Sequence, residues 1–244
     1  LVEKAGEIWI TGDQVTQSGQ VRAAAPDAGD GGRILLIGDM ARGSVRVAGA
    51  LDASAAAGRG GFIETSAARV QVADGTRVTA AAPQGRAGTW LIDPTDFTVG
   101  ASGALTTSGI GADTLAATLD GTVGGPAGTS VTLATAAAGS EAGDIHVNAD
   151  VSWSAATTLT LQAHGHINLN ASLTASGDGA GMVFTPGAGG SLLVNTTDSV
   201  KPKVTLSGAN ATLNIAGQDY TLVRDLAGLQ AINSGLGGRY ALVA

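Results

Sequence analysis

Asp93 and Asp96 stand three residues apart in GTWLIDPTDF, residues 88–97, and two carboxylates so close raise the question of glycoside hydrolysis. That reaction needs two carboxyl groups facing each other across a sugar, about 5 to 9.5 Å apart. In a protein of stacked coils the second acid would come from a neighbouring coil at the repeat spacing, and only Glu64, in FIETS, aligns in this way. Uronate substrates would also need cations, and residues 87–200 contain neither Lys nor Arg. His146, His164 and His166 offer imidazoles for a metal or haem, but without an ordered ligand spacing they read as surface or corner residues. No G-x-S-x-G elbow is present, and Ser66 has no histidine near it in sequence. Trp9, Trp90 and Trp153 have two readings, stacking on sugar faces or filling wide places in a core. Trp9 and Trp90 fall two or three residues after a small-residue pair, a recurrence that favours packing. The sequence therefore offers Trp90, Asp93, Asp96 and Trp153 as ligand contacts, with no catalytic set, cofactor site or metal site. An enzyme is not expected.

The composition favours thin layers over one thick core. Aromatic residues make up 3% of the 244 residues while Gly alone supplies 38, so the apolar interior must rest on Val, Leu, Ile and Ala. The formal net charge is −7, and nine carboxylates occupy the Lys- and Arg-free stretch 87–200. Nucleic acid is thereby disfavoured as a partner, since phosphate neutralisation needs a basic track. Scattered acids read as solubilising groups on an Ala/Gly-rich surface, and no D-x-D-x-D-G calcium loop occurs. With no cysteine, disulfides and thiolate sites are excluded. No run approaches 18 consecutive apolar residues, so no transmembrane segment is expected. The opening LVEKAGEIWI lacks the basic and apolar regions of a signal peptide, and the chain reads as a piece of something larger.

A repeat organises these residues. Ala5-Gly6, Gly31-Gly32, Gly60-Gly61 and Ala87-Gly88 each precede a strand-like segment, and their second members are spaced by 26, 29 and 27 residues. Each unit holds two or three short alternating segments with Gly or Asp-Gly corners. One unit cannot bury a face alone, but a stack of units makes a continuous core. The pattern predicts an all-β fold, a right-handed parallel β-helix, with Ile34, Leu36, Val45, Val47, Leu51, Ile63, Val70, Val72 and Val78 in inward ladders. Gly32, Gly61 and Gly75 are expected in corner conformations that a Cβ disfavours. The organisation expected is coils of about 27 residues over 1–100, an inserted loop and short helix over 101–128, coils with shorter repeats over 129–217, and a short helix opening a further segment over 218–244. Asp113 is the expected N-cap of the first helix and Gly121 its stop; Asp225 and Gly235 bracket the second, with Leu226, Leu229 and Ile232 on one face. Both helices are expected to pack on the solenoid. At about 25 residues per coil, roughly ten coils rising about 4.8 Å each would span near 45 to 50 Å.

GGFIETSAARVQVADGTRVTAAAPQGRAGTWLIDPTDFTV, followed by VTLATAAAGSEAGDIHVNADVSW and TLTLQAHGHINLNASL, resembles the filamentous haemagglutinin family of Gram-negative two-partner secretion exoproteins. The closing DYTLVRDLAGLQAINSGLGGRYALVA is similar to a segment found in such adhesins, and the most specific element is G-T-W-L-I-D-P, Gly88–Pro94. The resemblance implies a parallel β-helix exported through a dedicated outer-membrane transporter barrel and displayed at, or shed from, the cell surface. It further implies attachment to a host-cell or glycan ligand. The family's Asn-Pro-containing secretion signature is not visible, which places the segment downstream of the export signal. Two rivals share the architecture: the shaft of a contact-dependent toxin-delivery exoprotein, and a carbohydrate-active β-helix enzyme.

Overall fold

The computed structural model describes residues 6–101, 107–121, 127–138 and 141–243. The expected insertion over 101–128 thus lies partly outside the described residues, as does Ala5 of the first small-residue pair. The chain folds as a parallel β-solenoid of about seven turns with two short helices. At about 4.8 Å per turn this is about 34 Å of coil, shorter than the ten-coil expectation. One long insertion and a terminal hairpin use residues that the estimate assigned to coils.

The first face is a sheet whose strands run Glu7–Thr11, Arg33–Ile37, Phe62–Ser66, Thr89–Asp93, Ser130–Ala134, Thr158–Gln162, Gly181–Thr185 and Thr212–Ile215, each hydrogen-bonded in parallel to the next. Alternation along each strand sends every second side chain inward. One ladder stacks Ile8, Ile34, Ile63, Trp90, Val131, Leu159, Met182 and Leu213. Identical or similar shapes fall one above another, so each coil completes the burial of the last. The steps 26, 29 and 27 match the sequence repeat, then rise to 41 at the insertion. The following steps are 28, 23 and 31, one coil short and its successor long.

A second face carries the Val45–Val70 and Val47–Val72 ladders. The expected inward set is buried throughout. Strand order departs from chain order once: Gly109–Gly111 inserts between Arg69–Val72 and Phe97–Gly100. The chain then enters α1, Ala112–Asp120, which packs between the two three-stranded sheets of the third face. Leu115 and Leu119 are fully buried there, so the helix replaces a strand in the wall rather than lying on its outside. Gly111, extended and without a side-chain bond, takes the N-cap place expected of Asp113, which lies in the first turn; Gly121 ends the helix at φ +73°.

After Thr212–Ile215 the chain reverses through Ala216 and Gly217, both at positive φ, into an antiparallel strand, Gln218–Val223. The α2 helix, Leu226–Ala231, then leads to a last parallel strand, Tyr240–Leu242. Asp225 caps α2 by accepting the Gly228 N–H at 2.7 Å, and Gly235 follows the closing 3-10 turn, both as expected. Leu226 and Leu229 remain exposed, so α2 does not bury the apolar face that the sequence suggested.

Candidate ligand-binding face

The four residues offered as ligand contacts do not form one site. Trp90 points inward, 0% exposed, and its Nε1 donates to the buried Thr65 hydroxyl at 3.2 Å. Trp153 is 2% exposed on the third face, donating to the Thr157 carbonyl at 3.3 Å. Both indoles are core residues, which corrects their assignment as ligand contacts: a buried ring presents no face to a sugar. Asp96 is half-buried and committed to a corner, where Oδ1 accepts the N–H groups of Gly143 at 2.7 Å and Asp144 at 2.8 Å. Asp93 lies on the outward side of its strand, half-buried, opposite Ser66. Burial, and then the neighbouring Glu64 carboxylate, raise its pKa above the ordinary 3.8. Glu64 accepts from the Ser66 hydroxyl at 3.0 Å.

The tryptophans separate by one residue of phase. Trp9 pairs with Leu35 and Trp90 with Ile63, columns that face opposite ways. Trp9 is therefore 62% exposed. Counting "two or three residues" after the small pair conceals this, because a step of one inverts a strand side chain.

The histidines stay apart in role. His166 Nδ1 accepts the Ser191 N–H at 3.1 Å, and His164 Nδ1 donates to the Ala142 carbonyl at 3.3 Å. Among the described residues no group of three His, Asp or Glu side chains is placed to hold a metal ion. No helix of the described residues is long and apolar enough to cross a membrane.

The structure assembles a different face, at the corner leading into the first sheet. Three consecutive coils place GDGGR (29–33), GRGGF (58–62) and GRAGT (85–89) in register. Gly31 donates to the Arg59 carbonyl at 2.8 Å and Gly60 to the Arg86 carbonyl at 2.9 Å, which stacks Asp30, Arg59 and Arg86. Arg33, Phe62 and Thr89 form the parallel column across the glycines. Between the columns runs an open groove of about 360 Å³. At its glycines the floor is bare backbone because the coils approach too closely there for a side chain: a Cβ on Gly61 would sit 2.1 Å from the Gly32 oxygen, and one on Gly60 1.8 Å from the Ala80 oxygen, while Ala87 adds one methyl on the third coil.

Charge in this groove is uneven. Arg33 pairs with Glu7 at 3.5 Å and stands over the Phe62 ring, 5.4 Å from its centroid. Asp30 Oδ1 accepts the Arg59 N–H at 2.8 Å. Among the described residues neither Arg59 nor Arg86, both exposed, has an ion-pair partner. The signal was present in the sequence as an arginine recurring two residues before the second member of the small pair, at Arg59 and Arg86.

Comparison with family models, curated proteins and solved structures gives no match.

Proposed function

We propose that this chain is a shaft segment of a secreted surface adhesin, exported by a two-partner system and displayed outside a Gram-negative cell. Its work is extension and attachment, without covalent chemistry. The observation that carries this reading is the unbroken parallel ladder of the first face, Ile8 to Leu213, in which each coil is a template for the next. A nearest-neighbour fold of this kind can form coil by coil from a chain threaded unfolded through a pore. The absence of cysteine supports the same route, since no disulfide can lock the chain before export. The sequence likeness to filamentous haemagglutinins supplies the partner, an outer-membrane transporter barrel, and the class of target, a host-cell or glycan ligand.

Export is testable directly. Fused behind a two-partner secretion domain and expressed with its barrel, the chain is expected in the medium or at the cell surface in protease-resistant form. Periplasmic retention, with the secretion domain alone still exported, would contradict the reading.

A further inference from the structure

We infer that His166 is a pH-operated latch on the last strand of the second face, closed while its imidazole is neutral and opened when the ring takes up a second proton. The latch belongs to the coils themselves and holds whether or not the segment is adhesive.

The second face ends on the strands Phe97–Gly100, Ile145–Val147, Ile167–Leu169 and Leu192–Val194, paired in parallel with Phe97, Ile145, Ile167 and Leu192 in one column. The residues just before them, Asp96, Asp144, His166 and Ser191, stack at the strand entrances. Each of the first three accepts the backbone N–H of the next through a side-chain atom. Asp96 Oδ1 accepts from Asp144 at 2.8 Å, Asp144 Oδ1 from His166 at 2.6 Å, and His166 Nδ1 from Ser191 at 3.1 Å. An imidazole thus does for the last strand what carboxylates do for the two before it.

That exchange of acceptor changes what acid does. A carboxylate ordinarily stays ionised at pH 5 and goes on accepting. An imidazole accepts only through the nitrogen that carries no proton, here Nδ1, which assigns His166 as the Nε2–H tautomer. Imidazoles ordinarily gain their second proton between about pH 8 and 5, and both ring nitrogens are then donors. Nδ1–H would face the Ser191 N–H, donor against donor, so the bond is present above that range and lost below it. Asp144 is the carboxylate facing the half-buried His166 from the coil before. His164, on the same corner, donates to the Ala142 carbonyl. The coil after brings Gly187, Gly190 and Ser191 against this corner, none of them ionisable.

The far end of the same strand is held without a titrating group. Asn195 Nδ2 donates to Asn170 Oδ1 at 2.8 Å, and Asn170 Nδ2 to Asn148 Oδ1 at 2.7 Å. The Asn195 N–H donates to the Leu169 carbonyl at 2.9 Å. Acid therefore frees the entrance at Ser191, beside the core-packed Leu192, and leaves the exit at Asn195 closed.

The test is amide exchange followed by NMR on the purified chain at pH 8 and pH 5, corrected for the intrinsic rate at each pH, with the His166 ring nitrogens read by their ¹⁵N shifts. Ser191 protection is expected to fall about tenfold at pH 5, the weight of one hydrogen bond, while the Asn195 amide keeps its own. His166→Asn offers an amide oxygen near the place of Nδ1 that accepts at both pH values, so Ser191 should be protected equally at both. In His166→Ala it should be poorly protected at both. Ser191 protection that does not change with pH, an equal fall at Asn195, or the same fall in His166→Asn would overturn the inference. So would a ring protonated on Nδ1 at pH 8 or still neutral at pH 5.

Discussion

The aspartates of this chain do a job beyond solubility. Asp30, Asp144, Asp150 and Asp178 each accept a backbone N–H from the next coil, at Arg59, His166, Ser172 and Asn210, over 2.6 to 2.9 Å. Asp120 gathers three donors, Ser154 N–H and Oγ and the Ala155 N–H, at 2.5 to 3.0 Å. Asp120→Ala strands those donors beside α1 and is expected to cost about 1 to 2 kcal/mol in urea unfolding. Asp93 behaves oppositely. Its raised pKa means that the native state holds the proton more tightly than the unfolded chain, so the charged form costs stability above the folded pKa. That cost fades as the pH falls through the folded value and is gone below the ordinary 3.8. Asp93→Asn is accordingly expected to unfold at higher urea than the parent at pH 7, and the two curves should converge near pH 3.5 and below. These five bonded acids were visible in the sequence but their work was not, because the groups they bond lie 22 to 35 residues away in the sequence.

Strands and corners were more legible, since a two-residue alternation and a 26-to-29-residue repeat are both local patterns. The limits are physical too. Gly75 does take a left-handed corner at φ +73°, as expected, whereas Gly32 and Gly61 are required by close approach of neighbouring coils, which no single repeat reveals. Gly61→Ala should therefore be far more damaging than Gly75→Ala. The first forces coils apart and should abolish the cooperative thermal transition; the second costs about 1 kcal/mol of backbone strain. The two tryptophans separate in the same way. Trp90→Ala should destabilise by about 3 to 5 kcal/mol, while Trp9→Ala should stay within about 0.5 kcal/mol. Acrylamide quenching gives an independent reading, with the accessible emission component lost in Trp9→Phe and kept in Trp153→Phe. The α1 helix was placed correctly near Leu115 and Leu119, but its role as a replacement wall depends on strand order that only the folded chain shows.

At the scale of the molecule, one ladder of inward side chains and one stack of glycine corners make a rod with repeating outer columns. Ligand contacts on such a rod come from side chains that point away from the ladder. This is why the buried Trp90 and Trp153 are out of reach of any partner, whereas Arg59, Arg86 and Phe62 line an open groove. For the proposed adhesive shaft, the most direct measurement is attachment. Beads coated with the purified chain or with an unrelated acidic protein would be counted on epithelial monolayers. Saturable attachment by the chain, competed by soluble chain, is the outcome expected of an adhesive shaft. Attachment no greater than that of the unrelated protein, with β-rich circular dichroism intact, would contradict the claim and make the segment a spacer.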